Sequence, residues 1–360
     1  MIDDHFLPHF DNLYIGEGEE KRGYSHLTLS PSTNEPVLVT GGTGFIGSHL
    51  AKRLVGEGYK VILFDKTPNY ARIRGIRDKV TVVKGDVADS GSIISVLKEH
   101  DIKHIFHTAA ALSVEAEQDC DKAYACNVSG TYNILEAGRA HQIQRLVFLS
   151  SLAVFGANTP FPFHETSFRD PGSFYGVSKA FGEMLGNYYH LRHEFDFRGV
   201  RFAVVIGPGR RGAGATVTYS SFIESVALGK PGIIDIPEST ILPIIYVEDA
   251  ADFLMALWKA PKLSRRLFIA GGVPIPIKDL IAAVKTHIPE AEVRFELDPD
   301  AERVAQTWSF LTTLLVQQGK ETLYREIEDI GWKLQFDSVS DIVKHFIKFV
   351  QAHKEIYSEF

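Results

Sequence analysis

Cysteine is nearly absent from this chain of 360 residues, and the two present, Cys120 and Cys126, are too few for a disulfide scaffold. They lie six apart in a stretch of helical pattern, face different sides of it and do not pair, which fits a reducing compartment. The opening Met-Ile-Asp-Asp-His has no basic stretch followed by an apolar core, so no secretory leader is expected and the expected location is cytoplasmic. No apolar run reaches the ~18 residues of a membrane-crossing helix, so no membrane partner is expected. Long basic runs are missing too. With 38 Lys and Arg against 45 Asp and Glu the net charge is −7, which argues against nucleic acid as a partner. The histidines are scattered, and His190 and His193 lie close together without a carboxylate cluster, so no metal site is expected. What remains is ordinary globular composition, 45% hydrophobic and 23% charged, able to fill a large core without a metal or disulfide staple.

The chain is organised around Val37-Leu-Val-Thr-Gly-Gly-Thr-Gly-Phe-Ile-Gly-Ser-His-Leu50. A short apolar strand runs into a glycine turn, and a helical pattern begins directly after it. This order suits a dinucleotide site. The turn must be tight, the backbone must approach a diphosphate closely, and the helix N-terminus must aim free N–H groups at the phosphates. Gly41, Gly44, Phe45, Ile46 and Gly47 are therefore read as cofactor-binding. The next strand, Lys60-Val-Ile-Leu-Phe64, ends in Asp65. An acid about 20 residues past the turn binds the adenosine ribose hydroxyls and repels a 2′-phosphate, which selects NAD over NADP.

From Pro36 onward, apolar strands at 37–40, 60–64, 80–84, 103–107, 145–150 and 199–206 alternate with helical segments at 45–57, 89–100, 118–142 and 174–195. Short apolar strands alternating with amphipathic helices predict an α/β fold, a Rossmann-type doubly wound parallel sheet. Past Gly207 the elements are shorter and more mixed. Helices are expected at 221–228, 248–258, 277–286 and 339–351, with strands at 266–269 and 292–295. The expected organisation is an N-terminal arm over 1–35, an NAD-binding domain over 36–206, and a smaller substrate-binding region over 207–360 with crossovers back to the sheet.

Two further clusters carry chemistry. Tyr175-Gly-Val-Ser-Lys179 places a phenol and an ammonium at i and i+4, on one helix face. A phenol with a pKa of ~10 is a poor base at neutral pH, but a neighbouring ammonium and an oxidised nicotinamide both favour its phenolate. It then exchanges a proton with a substrate hydroxyl as hydride is transferred. Ser150 and Ser151 close the fifth strand, at the carboxyl end where open α/β sheets hold their ligands. A hydroxyl there can bond the substrate oxygen, although a lone serine in such a place is more often a turn or cap residue.

Together these motifs resemble the extended short-chain dehydrogenase/reductase superfamily, which includes the NAD-dependent epimerases and dehydratases. The resemblance runs from about Pro36 to Ala260, with echoes to Asp337. It implies that Thr40 to Gly47 is the cofactor loop and that Gly85-Asp86-Val87 contacts the adenine. It implies that Thr108, Ala109 and Ala110, after His107, line the cofactor. It also implies that Asn127, in Asn127-Val-Ser-Gly-Thr131, supports the active site, and that Ser151, Tyr175 and Lys179 are the catalytic set, with Tyr175 and Lys179 also touching the cofactor. Glu328-Asp-Ile-Gly-Trp332 resembles the segment before the family's last helix.

Three departures bear on the reaction. Sugar-nucleotide dehydratases carry Asp-Glu after the active Ser/Thr, where this chain has Leu152-Ala153. Nucleotide-sugar enzymes usually carry an arginine where Leu242 stands in Leu242-Pro-Ile-Ile-Tyr-Val-Glu-Asp249, and an asparagine where Val204 stands. Two expected grips on a nucleotide diphosphate are thus missing, while Arg210 and Arg211 are candidate substrate contacts. The expected function is an NAD-dependent oxidoreductase that transfers hydride to or from a secondary alcohol or ketone of a small, non-nucleotide substrate. Alternatives are a sugar-nucleotide 4-epimerase with bound NAD and a non-catalytic dinucleotide sensor. The resemblance also implies a homodimer through the helices at 118–142 and 174–195, and Tyr188, Tyr189, Leu191 and Phe195 are expected to supply its apolar surface.

Overall fold

The computed structural model describes residues 30–212, 215–261, 263–318 and 327–357. Most of the expected N-terminal arm lies outside these residues. The chain alternates strand and helix through β1 (Val37–Thr40), α1 (Phe45–Gly56), β2 (Val61–Asp65), β3 (Val80–Lys84), α2 (Ser90–Glu99) and β4 (His104–His107). Then come α3 (Ser113–Gln118), α4 (Cys120–Ala123), α5 (Gly130–Ala140), β5 (Arg145–Ser151), α6 (Phe174–His193) and β6 (Phe197–Phe202). These strands, with β10 (Leu267–Ala270), form a seven-stranded sheet in the order β10-β6-β5-β4-β1-β2-β3. Every pairing in it is parallel. Strands β1, β4 and β5 are buried along their whole length, which is why their centres read as apolar runs rather than alternating ones, with polar residues only at their ends. The strand order reverses between β1 and β4, and the carboxyl ends of these two strands open there on a crevice.

The expected sixth strand at 199–206 is two strands. β6 pairs with β5 in the main sheet, while β7 (Val204–Ile206) pairs with β9 (Ile241–Tyr246) in a second sheet. Between them the Ala203 N–H donates to the Ala270 carbonyl. The expected continuous helix at 118–142 is also broken. The Asp119 side chain accepts from the Lys122 N–H and starts α4, and a π-helical turn over Tyr124–Ser129 separates α4 from α5. Cys120 on α4 and Cys126 in the π turn are both free thiols.

The remainder comprises α7 (Ala215–Ala227), β8 (Gly232–Ile234), β9, α8 (Val247–Lys259), β10 (Leu267–Ala270), β11 (Val273–Pro276), α9 (Ile277–His287), β12 (Val293–Phe295), α10 (Pro299–Gln318) and a helix over Val339–Ala352. Strands β8, β9 and β11 and helix α10 have no counterpart in the sequence expectations. Helix α10 packs on β9. Its Ser309 hydroxyl accepts from the Ile241 N–H at 3.2 Å, and its Thr312 hydroxyl donates to the Ile241 carbonyl at 3.1 Å. That docking places Trp308 over the carboxyl end of the main sheet. No helix of the described residues is long and apolar enough to cross a membrane.

Candidate active site

Two linked cavities lie beyond the carboxyl ends of the central strands. The larger, of about 620 Å³, is lined by all eleven residues assigned to the cofactor from the loops: Gly41, Gly44, Phe45, Ile46, Gly47, Asp65, Asp86, Val87, Thr108, Ala109 and Ala110. Its glycine turn admits no side chain. Gly41 has φ +62°, and a Cβ there would stand 2.9 Å from the Ala109 backbone. A Cβ on Gly47 would meet the Gly41 carbonyl oxygen at 2.3 Å. The first turn of α1 has no side-chain cap, so its free N–H groups remain for an anionic ligand. Asp65 is fixed at the rim. One carboxylate oxygen accepts from the Thr43 hydroxyl at 2.7 Å and the Thr43 N–H at 3.1 Å, and the other accepts from the Thr67 N–H at 3.1 Å. A carboxylate has acceptor capacity beyond these three bonds, so ribose hydroxyls fit here. A cavity of this size, an uncapped helix start and an acid in its lining match a dinucleotide.

The smaller pocket, of about 110 Å³, collects Ser151, Tyr175 and Lys179. Sequence-distant elements bring them together for identifiable reasons. The Ser173 hydroxyl caps α6 by accepting from the Gly176 N–H at 3.1 Å. Gly176 lets that first turn lie on the strand end, because a Cβ there would sit 2.2 Å from the Ala153 carbonyl oxygen. Tyr175 thereby lines the same pocket as Ser151. Lys179 is buried, and its Nζ donates to the Leu149 carbonyl at 2.7 Å while lying 5.6 Å from the Tyr175 ring centroid. Burial pushes the Lys179 ammonium down to about 8, with Cys126 and Glu183 opposing. Burial raises the Tyr175 phenol above its usual value, while Ser151 and the nearby Arg210 pull it down.

Asn127 does not line either cavity. Its side chain accepts from the Ala111 N–H at 2.8 Å, and donates to the Ala111 carbonyl at 3.0 Å and to the Ser178 hydroxyl at 3.1 Å. Ser178 in turn donates to the Tyr175 carbonyl at 2.7 Å. Asn127, turned inward by the π turn, links the Ala111 backbone to the helix that carries Tyr175. Behind it, buried His107 spans the Thr40 hydroxyl at 2.8 Å and the Thr131 hydroxyl at 3.1 Å. Burial pushes this imidazole down to about 3, so it is neutral at physiological pH and ties the cofactor loop to α5.

Arg210 and Arg211 part ways. Arg210 lines both cavities, whereas Arg211 lines only the larger one and is ion-paired with Glu224. Leu242 is fully buried in β9, and Val204 forms part of the small pocket's wall, so neither position offers a polar group. Arg303 is exposed and paired with Asp300.

Some functional residues went unread in the sequence. Trp308 and Thr216 wall the small pocket, and no local pattern connects them to it. Glu183, fully buried one turn past Lys179, accepts from Ser150 at 2.5 Å, Arg169 at 2.6 Å and Arg201 at 2.7 and 2.8 Å. Its spacing from Tyr175 and Lys179 on one helix face was the available signal.

A sequence model of the NAD dependent epimerase/dehydratase family matches residues 37–270. The chain is 29% identical over 341 residues to the mitochondrial L-threonine 3-dehydrogenase of Sus scrofa, covering 92% of this chain and 87% of the relative. It is also 29% identical over 306 residues to a putative UDP-glucose 4-epimerase of Methanocaldococcus jannaschii, covering 84% of this chain and 94% of that one. Among solved structures, the holo form of a GalE-like L-threonine dehydrogenase from Cupriavidus necator superposes with a TM-score of 0.76 at 28% identity, covering 88% of this chain and 99% of that one.

Proposed function

Because the chain belongs to the NAD-dependent epimerase/dehydratase family and is an NAD-dependent enzyme of the extended short-chain type, we propose that it oxidises a small, non-nucleotide secondary alcohol, or reduces the matching ketone, at the pocket of Ser151, Tyr175 and Lys179. The observation that carries this reading is the pocket's size. A cavity of about 150 Å³ holds one benzene ring, so one of about 110 Å³ is sized for a handful of heavy atoms. Bound NAD supplies the hydride acceptor. The protein's own part is acid–base and positional. Tyr175 Oη takes the carbinol proton, Ser151 Oγ holds the reacting oxygen, and Lys179 stands ready for hydroxyls of the cofactor. Leu152 and Ala153 offer no second proton carrier, which leaves one hydride and one proton per turnover.

The test is incubation with NAD and a panel of secondary alcohols, amino alcohols such as L-threonine, and nucleotide sugars, following NADH absorbance and product stereochemistry. Net NADH from a small alcohol is expected. Micromolar binding of UDP-glucose, and its conversion without net NADH, would put the epimerase reading first.

Cofactor choice gives a second expectation. Asp65→Ala should narrow the preference for NAD over NADP at least about tenfold, since a carboxylate close to a 2′-phosphate costs over about 1 kcal/mol. Lys66, paired with Asp86 at 2.7 Å, softens the preference without abolishing it. Equal kcat/KM for the two cofactors in the wild type would sink this.

We further assign a homodimer. Exposed Val177, Met184, Tyr188 and Leu191 share one face of α6, with exposed Tyr132 on neighbouring α5. Tyr189 and Phe195, expected on that surface, are instead buried against the sheet. A solution mass near 80 kDa, about twice the 40.1 kDa chain, is expected; one near the chain mass at micromolar concentration would contradict it. The division at 35/36 and 206/207 is also our reading. Most of one apolar cluster lies after the second boundary, in β9, α7, α9, α10 and the helix Val339–Ala352, with Leu152–Phe163 and β7 joining it from before that boundary. We place the protein in the cytoplasm on the strength of its two free thiols.

A further inference from the structure

The small pocket holds a second cation, Arg210, beside Lys179. Arg210 follows Gly209, whose φ of +81° turns the loop after β7 back toward the sheet. One terminal nitrogen of its guanidinium donates to the Val205 carbonyl and the other to the Thr216 hydroxyl at 3.3 Å. Its Cζ stands 5.6 Å from the Phe45 ring centroid. The Nε is buried and has no hydrogen-bond partner among the described residues. No aspartate or glutamate is among the described residues that line this pocket. The contrast with Arg211, whose charge meets Glu224, is direct.

A desolvated guanidinium with an unused donor and no counter-ion is costly unless a ligand brings the missing charge. Burial pushes Arg210 down to about 10, with Tyr175 opposing, so it is cationic at neutral pH. The rest of the wall is largely apolar, from Ile46, Leu112, Phe202, Val204 and Trp308, so an uncharged alcohol would leave that cost unmet. A planar fork of N–H groups suits a carboxylate.

We propose that Arg210 is the anion subsite of the small pocket and that the substrate is a short secondary alcohol bearing a carboxylate, with the acid on Arg210 and the carbinol oxygen between Ser151 and Tyr175. This rests on the reading of that pocket as the site of alcohol oxidation. Two anions have access to Arg210, a substrate carboxylate and the cofactor's diphosphate, because its side chain borders both cavities. The substrate is favoured because the diphosphate already has the uncapped start of α1, whereas among the described residues the small pocket has no other cation besides Lys179.

The experiment compares matched acids and amides, L-threonine with L-threoninamide and 3-hydroxybutyrate with 3-hydroxybutyramide, in the wild type, Arg210→Lys and Arg210→Gln. A second arm measures binding of butyrate and butyramide to the enzyme–NADH complex and needs no turnover. A third measures the Kd for NADH. At least one acid should exceed its amide about 100-fold in kcat/KM, the size of a charge-assisted bond. The gap should collapse in Arg210→Gln and partly persist in Arg210→Lys, with NADH binding changed less than about threefold. Butyrate should bind the wild-type complex and not that of Arg210→Gln. Amides used as well as acids, or butyramide bound as well as butyrate, would overturn the proposal. So would a tenfold loss of NADH affinity in Arg210→Gln with acid and amide impaired alike, which would assign Arg210 to the diphosphate. If no alcohol is turned over but butyrate binding depends on Arg210, the subsite stands and the oxidation reading falls.

Discussion

Tyr175→Phe is expected to lower turnover at least about 10²-fold while leaving NAD binding and thermal stability near those of the wild type. The substitution removes one oxygen from a side chain whose ring remains to fill the same space. What is lost is the group that exchanges the carbinol proton, and positioned acid–base catalysis is worth about 10²–10⁴-fold. Ser151 does not replace it, because an alcohol is no base at neutral pH and its oxygen already accepts from the Ala153 N–H at 3.1 Å. The environment of the phenol adds a pH expectation. Burial holds its proton on more tightly than in water, so phenolate is scarce near neutrality and grows with pH. Oxidation by the wild type should therefore quicken from neutral into alkaline solution, and the residual rate of Tyr175→Phe should lack that dependence. Lys179→Ala should damage turnover, since its ammonium lines the small pocket beside Tyr175, and cofactor binding too if, as the family resemblance implies, it also holds the cofactor. Steady-state kinetics with a fluorescence titration of NADH separates the cases. Turnover of Tyr175→Phe at the wild-type rate would remove Tyr175 from the chemistry.

The parts of this site that were legible in the sequence are those written in local spacing. A strand, a glycine turn and a helix occupy consecutive residues, so Gly41, Gly44 and Gly47 announce the cofactor cavity before any tertiary contact is known. Tyr175 and Lys179 sit one helical turn apart and report the same face. The run Gly199 to Ile206 shows the limit. Apart from Arg201 it is apolar, because both of its strands are buried, and periodicity carries no mark of which sheet a residue joins. The change of sheet at Ala203 is decided by partners at Ala270 and Ile244, far along the chain. The π turn at Asn127 hides likewise, since one turn of altered hydrogen bonding leaves an apolar pattern almost intact. Trp308 closes the small pocket only because α10 docks on β9, and that docking depends on two hydroxyls meeting Ile241. Arg210 was visible as a loop cation, but its bearing on Tyr175 is a meeting of residues 35 positions apart.

Glu183→Met should cost about 3–5 kcal/mol of stability, the expected price of stranding buried charge. Glu183 and Arg201 are both fully buried, and their two-point ion pair is joined by Ser150 from β5 and Arg169 from the loop before α6. Burial works to raise the Glu183 carboxyl, but Arg201, Ser150 and Arg169 outweigh it and hold the group below its usual value, charged at neutral pH. Methionine fills a similar volume and offers no charge, so Arg201 is left in the interior without an acid. Arg169, part exposed, can turn to water. Against a total stability of about 5–15 kcal/mol for a typical domain, such a loss is large. Activity should fall as well in protein kept folded at low temperature, because this network joins the strand end carrying Ser151 to the helix carrying Tyr175 and Lys179. The double variant Glu183→Met with Arg201→Met decides between charge and packing. Removing both charges leaves an apolar pair, and replacing a buried ion pair by apolar residues is often near neutral. Urea unfolding of the two variants should then show the double variant recovering most of the loss. A double variant no more stable than Glu183→Met would mean that shape, not charge compensation, holds α6 to the sheet.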